Sequence, residues 1–172
     1  MPVVYRVKLD ASKLREQLQA MLASGEDMRP FENRLGAWML KSVDKNFRAR
    51  GRPTKWKELA PYTLAMRRWR AEKFGRPAYT EKILEVRGEL RRNWEFRVRR
   101  VGKGQEQLEV GTPTPKADVH HEGKTVPAPE RWKTRTSVKM PKRVLIAIHP
   151  EDWRQAGKFA DEHLRKVVPP GA

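Results

Sequence analysis

The sequence predicts an α+β fold: a small antiparallel sheet packed by a long amphipathic helix and flanking helices, with an extended proline-rich arm. Three observations carry this. Phe31, Leu35, Trp38, Met39, Val43 and Phe47 recur at steps of three and four, the spacing of one helix face. Trp94, Phe96 and Val98 alternate with Glu95, Arg97 and Arg99, and after Gly102-Lys103-Gly104 the chain returns through Leu108 and Val110. That is the period of a half-buried hairpin closed by a tight turn. From Thr112 to Pro141 neither period holds. Pro113, Pro115, Pro127, Pro129 and Pro141 interrupt a run holding Lys124, Arg131, Lys133, Arg135 and Lys139. Stretches this long between elements are usually functional or unstructured in isolation.

Taken in order, Val3 to Leu9 alternates and reads as a half-exposed strand. Asp10 or Ser12 caps a helix running to about Ala23, with Leu14, Leu18, Met21 and Leu22 as its stripe and Ser24-Gly25 as its end. The long helix starts near Pro30, which suits a first turn. Gly51 and Pro53 break the chain, and Trp56 and Leu59 anchor the loop that follows. Pro61 opens a third helix through about Phe74, with Leu64, Ala65, Trp69 and Phe74 available for burial. Arg67, Arg68, Arg70 and Lys73 make its other side basic, either a solvated face or a strip for phosphate or a partner. Thr80 caps a helix from Glu81 to about Arg92, kinked near Gly88. Glu106 and Glu109 can lie across from Arg97 and Arg99. The run Val144–Ile148 is apolar on both faces and predicts a covered strand. Pro150 opens a last helix with Trp153, Ala156, Phe159, Ala160 and Leu164 along one side. The whole, 1–172, reads as a single domain with an arm over 112–141 and a frayed tail over 168–172.

Composition narrows the function classes. Formal net charge is +17 and charged residues make up 34% of the chain, which favours an anionic partner: nucleic acid or an acidic protein surface. No cysteine is present, so thiolate chemistry and disulfides are excluded. The first residues lack a signal-peptide core, and no apolar run reaches membrane-spanning length. His120-His121 between Asp118 and Glu122 invites a metal, but adjacent histidines do not converge on one ion from a helix or a strand. No phosphate-cradling loop, nucleophile elbow, zinc finger or RNA-binding aromatic signature is present. The carboxylates are scattered among arginines, which suits ion pairing more than acid catalysis. The expectation is therefore no enzyme, no catalytic residue, no cofactor and no metal. A nuclease or other hydrolase would need clustered carboxylates or histidines around an ion.

Several short motifs follow one another in a fixed order. Ile83-Leu84 precedes Gly88-Glu89-Leu90; Val110-Gly111-Thr112 follows; then come Ala117, His120 and Gly123; then Met140-Pro141-Lys142-Arg143 with Leu145. Upstream, Phe47, Gly51, Trp56, Leu59 and Thr63 fit a loop and the helix after it. In this order and spacing they resemble the phage virion morphogenesis family, also called tail-completion proteins, of Mu-type and related tailed phages. The resemblance covers roughly Phe47 to Leu164. Lys116 stands where the family usually has an aromatic, Glu122 where an apolar residue is common and Val144 where a second proline is expected.

The resemblance implies a structural virion protein, assembled in the host cytoplasm, acting in tail completion or head–tail joining. It implies a homo-oligomeric ring, a hexamer, at the neck or head-proximal tail end. Tail tube and neck or connector proteins would be its neighbours, with DNA passing through and no membrane involved. On that reading Arg91, Arg92, Arg97, Arg99, Arg100, Arg67 and Arg68 face DNA, an acidic tail surface or a subunit seam. Arg143, Pro141, Trp132 and His120 are candidates for contact between subunits, Arg143 through an ion pair. A non-specific basic nucleic-acid-binding protein is the alternative.

Overall fold

The computed structural model describes residues 3–5, 16, 18–19, 23, 27–75, 82–85, 88–102, 105–128 and 136–167. Among them lie five strands, β1 (Val3–Tyr5), β2 (Glu95–Gly102), β3 (Gln105–Thr112), β4 (Thr125–Pro127) and β5 (Ser137–Lys139). Five helices accompany them: α1 (Arg29–Arg48), α2 (Pro61–Phe74), α3 (Glu89–Arg92), α4 (Lys116–Glu122) and α5 (Pro150–Val167). The fold is α+β. One sheet has the order β1-β3-β2 and the other pairs β4 with β5. The helix expected over Ser12–Ala23 falls mostly outside the described residues; those described at 16, 18, 19 and 23 are helical.

The chain divides into two compact units. One is drawn from 4–42, 95–111 and 147–172. Its core takes Met28 from just before α1, Phe31, Leu35 and Met39 from α1, Val110 from β3, and Ala156 and Ala160 from α5, all buried. Asp27 accepts the Arg29 backbone N–H at 3.0 Å, tying down the entry to α1. The hairpin pairs Phe96 with Val110 and Val98 with Leu108, and a register shift falls between Arg100 and Gly102. Phe96 and Val98 are half-buried while Glu95, Arg97 and Arg99 are exposed, as period two requires. A Cβ on Gly36 would sit 2.3 Å from the Phe96 ring, so only glycine lets α1 approach the hairpin this closely.

The helix α5 is anchored at its first turn by one buried carboxylate. Asp152 is 2% exposed. Its Oδ2 accepts the His149 backbone N–H at 2.9 Å. It also accepts the Ser42 hydroxyl at 2.9 Å. Its Oδ1 accepts Trp38 Nε1–H at 2.8 Å. The bond back to the residue preceding the helix is half of a capping box, and the negative charge sits at the positive end of the helix.

The other unit is drawn from 1–3, 43–94 and 112–146. Val43, Phe47, Trp56, Ile83, Leu90, Trp94, Ala117, Leu145 and Ile146 are its buried apolar residues. The Phe47 and Trp56 rings meet edge to face at 5.2 Å. Trp94 donates its Nε1–H to the Leu90 carbonyl at 2.7 Å.

Four expectations need correction. The run Val144–Ile148 is not a strand. Its apolar content does report burial, with Leu145 at 0% and Ile146 at 6% exposure. Side chains satisfy its backbone instead of a ladder. Asn46 Nδ2 donates to the carbonyls of Val144 and Leu145, at 2.9 and 2.8 Å. Trp56 Nε1 donates to the Val144 carbonyl at 3.0 Å, and the Leu145 N–H donates to His121 Nδ1 at 3.1 Å. A buried backbone needs partners, but a strand is only one way to supply them. The sheet core expected from Leu145 and Ala147 is therefore not built on a strand there.

Second, the helix expected over Glu81–Arg92 is confined to the single turn α3, because Leu84 and Gly88 both have positive φ, 63° and 73°. Third, α2 buries none of its residues, although Leu64, Ala65, Trp69 and Phe74 were expected to pack inward. Fourth, the proline-spaced stretch is folded at its base. Thr112 and Ala117 are fully buried, α4 and the β4–β5 hairpin lie within it, and residues 129–135 fall outside the described set. The Met140 N–H donates to the Lys124 carbonyl at 3.0 Å, closing that hairpin.

Candidate interaction faces

The sequence offered charged residues in place of a cleft, and the structure sorts them by how far each is committed within its own unit. Arg91 is the most committed. Its guanidinium meets Asp44 at 2.6 Å and Glu85 at 3.0 Å, and both bonds hold it charged, Asp44 first. Asp44 also takes Arg48 at 2.7 Å. Asp44, Glu85, Gly88, Arg91 and Arg92 line an open recess of about 420 Å³. Arg91 in it is already paired with the two carboxylates, Asp44 and Glu85. Arg92 is exposed, and its guanidinium packs 3.3 Å from where a Cβ on Gly88 would be.

Arg143 is also spent inside the chain. It is 4% exposed, and its Nη2 donates to the Lys57 carbonyl at 3.0 Å. Burial lowers its pKa, and the nearby Arg67 acts in the same direction. Its backbone N–H donates to the His120 carbonyl at 2.7 Å. The role of an outward ion-pair partner expected for Arg143 is thus at odds with where its guanidinium lies. The proline before it, Pro141, is half-buried. Trp132 lies outside the described residues.

The two adjacent histidines serve the same joint. His121 accepts the Leu145 N–H on Nδ1, so that nitrogen carries no proton. Burial pushes the His121 pKa down. His120 is pushed down to about 4, chiefly by burial and then by the Arg143 and Lys116 charges. Both are neutral packing groups at pH 7. Among the described residues no group of three or more His, Asp or Glu is placed to hold a metal ion. Gly123, at φ 73°, ends α4, and a Cβ there would lie 2.9 Å from the Lys142 nitrogen. Asp118 and Glu122 both pair with Lys124 beside that turn.

On the hairpin, Glu109 lies opposite Arg97 in register, whereas Glu106 lies opposite Arg100 rather than Arg99. The Arg97 guanidinium takes Glu95 on its own strand at 2.6 Å. Arg99 is exposed, and the Arg100 side chain lies outside the described set.

The remaining candidates sit on α2. Arg67 is half-buried and donates to the Lys82 carbonyl at 2.9 Å, and burial lowers its pKa. Arg68 is exposed. On the same helix Tyr62, Trp69 and Phe74 are 62%, 45% and 58% exposed. Sequence reasoning makes Trp69 and Phe74 available for burial and leaves Tyr62 at the helix start.

Other residues that organise the structure were not singled out by pattern. Asn46 and Ser42 are polar positions within the apolar stripe of α1, and Asp152 looks like an ordinary first-turn acid. Only their three-dimensional partners reveal them.

Comparison with known proteins gives one match. The model of the phage virion morphogenesis family covers residues 9–165. No curated protein and no solved structure matches the chain.

Proposed function

The chain belongs to the phage virion morphogenesis family, and from that premise we propose that it completes the phage tail, acting as a homo-oligomeric ring at the neck or head-proximal tail end. The observation that carries this is the family match across nearly the whole chain, residues 9–165. A structural role fits the inventory of side chains. Arg143 and His120 brace one joint, and Arg91 closes an ion-pair network. The chain works by assembly, without catalysis or a cofactor.

In a ring, each copy offers one face to the next, and such head-to-tail contacts close when the rotation divides a full turn. The stretch from Thr112 to Pro141 is the segment that reaches a neighbouring copy or the adjoining ring. Its base is fixed by α4 and by the close approach of Gly123 to Lys142. Arg92 and Arg99, exposed on α3 and β2, face the DNA path, an acidic tail surface or a subunit seam. The ring is a hexamer, its neighbours the tail tube and connector proteins.

Electron microscopy of phage particles made without this chain tests the proposal. Unjoined heads and tails are expected; normal particles overturn it. The formal charge of +17 keeps non-specific nucleic-acid binding as the second reading. That reading predicts an isolated monomer whose affinity for DNA or RNA falls steeply with salt, because phosphate contacts release counterions.

A further inference from the structure

Among the described helices, α2 is the one with no buried residue. Its half-buried residues are Thr63, Leu64, Met66, Arg67 and Ala71, and Arg67 fastens it through the Lys82 carbonyl. Exposed Tyr62 and Trp69 lie along one stripe, joined at steps of four and three through the half-buried Met66. Lys73 Nζ sits 4.9 Å from the Trp69 ring centroid and 5.9 Å from that of Phe74. The two rings meet edge to face at 6.2 Å. The helix carries Arg67, Arg68, Arg70 and Lys73 against the single acid Glu72.

We propose that this face of α2 docks an acidic amphipathic segment of a different virion protein: an apolar strip bordered by carboxylates. The proposal rests on the virion reading above and adds the chemistry of one partner. Exposed aromatic residues rimmed by cations match the composition of interface anchors. The local charge requires an anionic counterpart. A second copy of the same face would set cation against cation, and the chain as a whole carries +17. Nucleic acid fits less well. Base stacking needs an open ring face, and the Trp69 ring already has the Lys73 ammonium over it and meets the Phe74 ring edge to face. Phosphate contact alone makes no use of Tyr62 and Met66. An apolar strip on a protein covers the rings, and its flanking carboxylates meet Arg70 and Lys73.

The test places the photo-crosslinking residue p-benzoylphenylalanine at position 62, and separately at 69, in chain supplied to growing phage. Position 158, exposed on α5, is the control. Because neither Tyr62 nor Trp69 is buried, the purified variants are expected to melt at the parent temperature. In purified particles irradiated and digested, both test positions should cross-link to one segment of a second protein, with Asp and Glu flanking its apolar residues; position 158 should not. Adding Arg70→Glu with Lys73→Glu should cut the yield about tenfold or more, and Arg70→Lys with Lys73→Arg should keep it. Cross-links to another copy of this chain, to nucleic acid or to a segment without acidic residues overturn the proposal. So does the chain's presence in particles without any cross-link. Absence of the chain from particles, read by mass spectrometry, overturns the virion reading and this proposal with it.

Discussion

The helices α5 and α2 solve opposite problems. Both open on proline, and the sequence predicted both. At its first turn α5 is tied to its own unit: Asp152 gathers a backbone N–H, a hydroxyl and an indole N–H in a site that water does not reach. By contrast α2 has no side-chain cap, no acid in its first turn and no buried residue. Cutting the polar ties of α5 exposes unsatisfied donors, while trimming α2 exposes little that was hidden. The difference separates residues that hold the fold from residues left over for something else.

The largest expected effect is at the anchored helix. Asp152→Ala leaves Trp38, Ser42 and His149 donors without their acceptor, and unfolding in urea should show a loss of about 3 kcal/mol or more. An unchanged midpoint would erase the contrast with α2. Gly36→Ala drives a methyl into the Phe96 ring and should cost about 1–3 kcal/mol, read the same way. Asn46→Ala removes both bonds to the 144–145 carbonyls and should cost about 1–3 kcal/mol, because the carbonyls stay buried.

Acid should act on the joint formed by α4 and the 143–146 segment. His120 is depressed from 6.5 to about 4, and His121 is also depressed. A base held neutral in the folded state binds fewer protons than it does unfolded. Its stabilisation is therefore complete above pH 6.5 and is lost as pH falls toward about 4. Melting temperature should fall across that window, and His120→Gln should flatten the decline.

The smallest effect is expected on α2. Tyr62→Ser with Trp69→Ala should shift stability by no more than about 0.5 kcal/mol per site, measured by thermal unfolding. A large loss would show that the stripe belongs to the core after all.

The same contrast explains what the sequence could disclose. Periodicity located α1, α5 and the β2–β3 hairpin, because each buries one regular face. It misplaced Val144–Ile148, since an apolar run signals burial and is silent on whether its backbone partners are a neighbouring strand or Asn46, Trp56 and His121. It overextended α3, because nothing in the sequence marks the positive φ at Leu84. It sent Trp69 and Phe74 inward, because a stripe looks the same whether it faces a core or a partner. Among the candidate cations, nothing in the sequence marks Arg91 or Arg143; only the carboxylates and carbonyls around them show that they are engaged within the chain.

The central claim, that this chain functions as a self-assembled ring, is met most directly by native mass measurement of the purified protein, alone and with tail tube protein. The account predicts a closed hexamer, formed at the latest when the tail tube protein is added. A monomer that stays monomeric with its tail partners, and instead binds DNA or RNA with steep salt dependence, contradicts it.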